Sequence, residues 1–130
     1  MLPLSLCVQA QETFRKRRTT TMGREVLIDT HSRHRIDCSS AGAPLFTLTQ
    51  PPEHGSVDVR EGQVIAKPTA VGTGDCTGTP IRGILVYYTP ADGYAGKDAF
   101  TYDLRLGTHP PLHHDVVVDV EPPPAASAPR

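Results

Sequence analysis

From Phe100 to Leu106 apolar and polar side chains alternate without interruption. Phe100, Tyr102, Leu104 and Leu106 fall on one side, and Thr101, Asp103 and Arg105 on the other. A period of two puts successive side chains on opposite faces, so the stretch reads as an antiparallel strand with one face in a core and one in water. Just upstream, Ile84-Leu85-Val86-Tyr87-Tyr88 is rich in β-branched and aromatic residues and is closed by Thr89-Pro90, because proline cannot donate to a central ladder. Between the two runs lies Ala91-Asp92-Gly93-Tyr94-Ala95-Gly96, a corner whose glycines accept positive φ. Strand, corner, strand is the frame that the rest of the chain must fit.

The same period recurs elsewhere. Glu25–Asp29 directs Val26 and Ile28 inward, and Arg33–Cys38 reads as a second strand with His34, Ile36 and Cys38 on its buried face. Leu45–Thr49 and Ser56–Arg60 follow, the latter with Val57 and Val59 inward. Arg60-Glu61-Gly62-Gln63 reads as a tight hairpin turn into Val64-Ile65-Ala66. In His113–Glu121 the inward set is Val116, Val118 and Val120, with Val117 an outward exception. Thirteen prolines and eleven glycines, without a short repeat, supply the turns. The fold class is therefore all-β: a single-domain sandwich.

The central stretch also resembles a known family. Tyr88-Thr89-Pro90-x-x-Gly93-Tyr94-x-Gly96-x-Asp98-x-Phe100-x-Tyr102 is similar to the signature of bacterial Ig-like, cadherin-like tandem-repeat domains. Thr49-Gln50-Pro51-Pro52-x-His54-Gly55-Ser56-Val57 is similar to a strand start in the same repeats. The resemblance spans about Gly23 to Glu121 and implies an Ig-like/cadherin-like Greek-key sandwich of seven to eight strands, of the kind found on bacterial surface and secreted proteins and used mainly as adhesive and spacer modules. In calcium-binding relatives the connection at Ser39–Pro44 is rich in aspartate. Here it reads Ser-Ser-Ala-Gly-Ala-Pro, which lacks the carboxylate oxygens that calcium needs.

The ends read differently from residues 23–121. Met1–Ala10 has the short apolar run and small-x-small ending of a signal-peptide remnant. Leu4-Ser5-Leu6-Cys7 departs from a lipoprotein box at Leu6. Residues 11–22 carry Arg15-Lys16-Arg17-Arg18 without apolar periodicity and read as a basic, flexible, solvated linker, and 122–130 as a Pro/Ala-rich disordered tail. A net charge of −1 and the absence of an aromatic platform exclude nucleic acid as the expected partner. No apolar run is long enough for a transmembrane span. With Cys7 removed alongside the leader, Cys38 and Cys76 remain. An even pair in an exported domain reads as one disulfide. It would pin the Gly/Thr-rich loop Pro68–Pro80, which reads either as a recognition loop on the scaffold or as a neutral insertion. The expected location is periplasmic or secreted.

No nucleophile elbow, phosphate loop or zincin helix is present, and no carboxylate pair can be assigned acid and base roles. No cofactor is expected, and the chain is not read as an enzyme. His109, His113 and His114 are the weak candidates for a metal, with His31, His34 and His54 elsewhere, and solvated loop histidines are the default. His113 and His114, as neighbours on a strand, face opposite ways. Asp98 is expected to accept backbone N–H bonds and fix the corner, and Tyr94 or Tyr102 to return its hydroxyl to the backbone as in a tyrosine corner. The sequence thus points to a non-catalytic exported Ig-like module that binds a protein or surface ligand in the cell envelope. Its alternatives are a structural accessory subunit of an envelope complex and a small histidine-based metal-binding periplasmic protein.

Overall fold

The computed structural model describes residues 13–67 and 76–124. Its strands are β1 (Thr13–Thr21), β2 (Val26–Ser32), β3 (Leu45–Gln50), β4 (Gly55–Ile65), β5 (Pro80–Pro90), β6 (Gly96–Arg105) and β7 (Leu112–Glu121). They form two sheets, ordered β1-β7-β6-β3 and β2-β5-β4. The connections β1–β2, β2–β3, β3–β4 and β5–β6 all pass from one sheet to the other. A β2-β5-β4 layer facing β7-β6-β3 is the strand order of an immunoglobulin-type sandwich. The expected all-β sandwich is what the chain forms.

The core lies between the layers where the alternating residues meet. Ile28, Ile84, Val86 and Tyr88 come from one sheet, and Phe100, Tyr102, Leu104, Val116, Val118 and Val120 from the other. Each such side chain removed from water contributes roughly 1.5–3 kcal/mol before chain entropy is subtracted. Few aromatic residues are available, and they are concentrated in one line. Tyr88, Phe100, Tyr102, His114 and Phe14 stack in succession, with centroids 6.0, 6.2, 4.6 and 5.1 Å apart.

Cys38 and Cys76 are joined, with Cα atoms 5.4 Å apart. The bridge packs with Ala66 and Ile81 in a second, smaller apolar cluster. Of the loop Pro68–Pro80, residues 68–75 lie outside the described residues, as do the leader expected at residues 1–10 and the last part of the tail, 125–130.

Three expectations are corrected. The stretch read as a linker is strand β1, paired in parallel with β7 from Thr13↔His113 to Thr21↔Glu121. Its basic run does not repel the sheet because alternate side chains find partners on different faces. The strand expected at Arg33–Cys38 is instead a small hairpin-like loop with a bridge between His34 and Ser40, and it leaves Ile36 70 % exposed. Asp37 Oδ1 accepts from Ser39 N (3.0 Å) and Oγ (2.6 Å), and Cys38 takes φ 68°. That local side-chain turn competes with extended backbone and wins. The hairpin expected at Arg60–Gln63 is absent: Glu61, Gly62 and Gln63 pair with Ile84, Gly83 and Arg82, and β4 runs on unbroken. An equally long β5 offers a partner to every residue of that edge strand.

Candidate functional site

The two aspartates that matter most sit in contrasting surroundings. At the Ala91–Gly96 corner, Gly93 (φ 75°) and Gly96 (φ 140°) take the positive φ anticipated for them. Asp98, 4 % exposed, opens β6 behind that corner. Its Oδ1 accepts from Glu53 N (3.1 Å) and its own neighbour Ala99 N (2.9 Å). Its Oδ2 accepts from His54 N (3.1 Å) and the Tyr88 hydroxyl (2.7 Å). Asp98 thereby ties the Pro51–Gly55 connection and β5 to β6, the backbone-fixing role expected of it. Burial, then the neighbouring carboxylate, push the Tyr88 phenol above its ordinary value, so it stays a donor. Tyr94 donates to Lys97 O (2.5 Å) and stacks on His54 at 4.1 Å. Of the two tyrosines considered for a corner, Tyr94 makes the backbone bond. Pro90 closes β5, opposite Gly55.

The second aspartate was not anticipated. β2 carries a bulge between Leu27 and Asp29: Leu27 pairs with Tyr87, but Asp29 pairs with Val86 and His31 with Ile84. Val86 and Ile84 are buried core residues. The extra residue therefore shifts the inward set of β2 from Val26 and Ile28 to Asp29 and His31. Across the flank of the sandwich, β1 turns Phe14, Lys16, Arg18 and Thr20 the same way as their partners His114, Val116, Val118 and Val120. Lys16 and Lys67 both donate to Asp29. Arg18 Nε donates to Ile28 O (2.9 Å). His31 Nε2 and the Tyr102 hydroxyl are hydrogen-bonded at 2.8 Å, and the His31 ring meets His114 edge-on at 5.0 Å.

Burial governs the protonation of this cluster. It lowers His31 to about 3 and His114 to about 4, with the nearby Lys16 charge adding to both, so both rings are neutral at pH 7. Burial likewise lowers Lys16, only partly offset by its bond to Asp29. For Asp29 burial acts upward, but the bonds from Lys16 and Lys67 outweigh it and hold the carboxyl below the usual range. Tyr102 is raised by burial and by Asp29. The cluster is a closed, internally satisfied polar network. Among the described residues no buried side-chain nitrogen or oxygen lacks a partner.

A third feature opens outward. On the solvent face of the four-stranded sheet a concavity of about 270 Å³ is lined by Thr13, Thr49, Thr101, Asp103, His113 and Asp115, together with His114. Thr49 and Thr101 hydroxyls share a 2.6 Å hydrogen bond, and His113 Nδ1 is bonded to Asp103. Arg15 stands 4.0 Å from Asp115, and Arg17 grips Asp119 through Nε (2.6 Å) and Nη2 (3.0 Å). The basic run is thus divided by the strand period: Arg15 and Arg17 meet acids on the outer face, while Lys16 and Arg18 reach β2.

The three candidate metal histidines separate. His113 faces out, His114 is 4 % exposed inside and bonded through Nδ1 to Leu112 O (3.0 Å), and His109 lies in the β6–β7 turn. His31 and His114 are not the solvated loop histidines expected. Among the described residues no group of three or more His, Cys, Asp or Glu side chains is arranged to hold a metal. Nor is any helix there long and apolar enough to cross a membrane. The disulfide is compatible with an oxidising, extracytoplasmic setting. No protein-family model matches this chain, and no curated protein is significantly similar to it.

Proposed function

We propose that the protein is a non-catalytic, exported immunoglobulin-like module that binds a protein or surface ligand in the cell envelope through the outer face of its four-stranded sheet. The observation that carries this reading is the concavity across β1, β7, β6 and β3, where hydroxyls, carboxylates and an imidazole converge on open solvent. The buried Lys16–Asp29 and His31–Tyr102 contacts lie in the flank and are made within the protein. A disulfide-stapled sandwich with polar convergence on one exposed sheet suits recognition by a rigid surface. The resemblance of Tyr88–Tyr102 to adhesive repeats supports the same reading.

The test fills the concavity. Thr49→Arg with Thr101→Arg places two long side chains in it from β3 and β6. In-cell crosslinking followed by affinity purification is expected to recover a specific envelope partner with the parent chain and to lose it with the variant, at equal thermal midpoints. Undiminished capture by the folded variant rules out this face. Metal-dependent turnover by the parent chain defeats the module reading itself.

A further inference from the structure

Strand β1 is held unlike its neighbours. In β7 the side chains of His114, Val116, Val118 and Val120 are all buried, whereas in β1 only Thr20 is. What binds β1 is a parallel backbone ladder and a row of charges: Arg15 and Arg17 with Asp115 and Asp119, Lys16 with Asp29. Its joint to β2 is brief. Arg24 N donates to Thr21 O (2.9 Å), Gly23 sits at φ 76°, and Met22 N donates to Glu121 O (2.8 Å).

We propose that β1 is an exchangeable strand. In a pair of copies each β1 leaves its own β7 and occupies the same place on the β7 of the other, forming a two-fold symmetric dimer. The occupant is fixed by charge complementarity. Arg15-Lys16-Arg17-Arg18 is the only run of four basic residues in the sequence. It alternates in register with Asp115 and Asp119 on one side and Asp29 on the other. An exchanged β1 recovers every one of these bonds, so the two forms differ only at the joint and in concentration. A short joint between strands of different sheets favours this exchange, because across it opening gives up two hydrogen bonds, Arg24 N to Thr21 O and Thr20 Oγ1 to Arg24 O. Removing β1 leaves the disulfide and the β2-β5-β4 sheet intact.

The experiment uses the full chain with Cys7→Ser. One copy carries Thr21→Cys and the other Glu121→Cys, positions that face each other at the end of the β1–β7 ladder. The two are incubated together at high concentration and a warm temperature below the midpoint, then oxidised. A mixed disulfide dimer is expected, its yield rising with concentration and its rate of formation rising with Asp29→Asn. A chain bearing both cysteines reports whether the pair closes within one molecule. Closure there with no mixed dimer overturns the proposal. A cysteine-free arm deletes Gly23 and Arg24, which prevents β1 from folding back. Light scattering is expected to find this chain dimeric, and a folded monomer with an ordered β1 overturns exchange.

Discussion

Asp98 and Asp29 are both withdrawn from water, but by opposite means. Asp98 is surrounded by neutral donors, three backbone N–H groups and a phenol, all delivered by segments that converge on one corner. Asp29 is held by two ammonium groups from β1 and from the end of β4, beside two neutral imidazoles. The first arrangement meets one carboxylate with four hydrogen-bond donors and no counter-ion, and it fixes geometry. The second takes ions out of water, and each partner depends on the others for its charge state. The aromatic line from Tyr88 to Phe14 joins the two regions mechanically. One end of the molecule is pinned and the other is clamped.

The largest effect is expected where the clamp is cut. Asp29→Ala strands Lys16, whose side chain is only 11 % exposed, and should cost about 3–5 kcal/mol in denaturant unfolding. Lys16→Met combined with Asp29→Leu should recover most or all of that loss, because an apolar pair avoids desolvating ions. A double variant as unstable as the single one would mean that the charges themselves specify the flank.

The comparison sharpens further with pH. His31 and His114 titrate near 3 and 4 in the folded chain against 6.5 ordinarily. Unfolding therefore takes up protons, and stability is full above about pH 6.5 and falls as the pH drops through about 4 and then 3. Melting at pH 7 and pH 4 should reveal a loss on the order of a few kcal/mol. His114→Phe, which preserves stacking between Tyr102 and Phe14, should flatten that slope. An unchanged slope would place the acid sensitivity outside His114.

At the corner the expected change is smaller. Asp98→Asn keeps the shape but replaces one acceptor oxygen with a donor facing N–H or O–H groups, and should cost about 1–3 kcal/mol. A loss as large as that of Asp29→Ala would erase the distinction between pinning by neutral donors and clamping by ions.

How much of this was legible follows from where each signal lies. The β5–corner–β6 unit is local: alternation, proline and two glycines specify it within one contiguous stretch, and an aspartate just after the glycine turn was legible as a backbone acceptor. The Cys38–Cys76 bridge was readable once Cys7 was assigned to a leader, which left an even pair. The flank was not readable, for two reasons. The pattern in β1 is carried by Lys16 and Arg18 rather than by apolar residues, so an inward face built on charge pairing looked like a solvated run. In β2 the period is correct through Ile28 and is then inverted by a single bulged residue.

By itself the sequence determined the two-layer β architecture, the core columns of β6 and β7, the corner and the disulfide, since each depends on a period of two or on residue chemistry along a short span. Only the tertiary structure decided that β1 belongs to the sheet, that β4 runs straight through a glycine, and that Asp29 and His31 face inward. Those outcomes depend on which strand lies alongside and in what register. A one-residue shift in register exchanges the faces of everything beyond it.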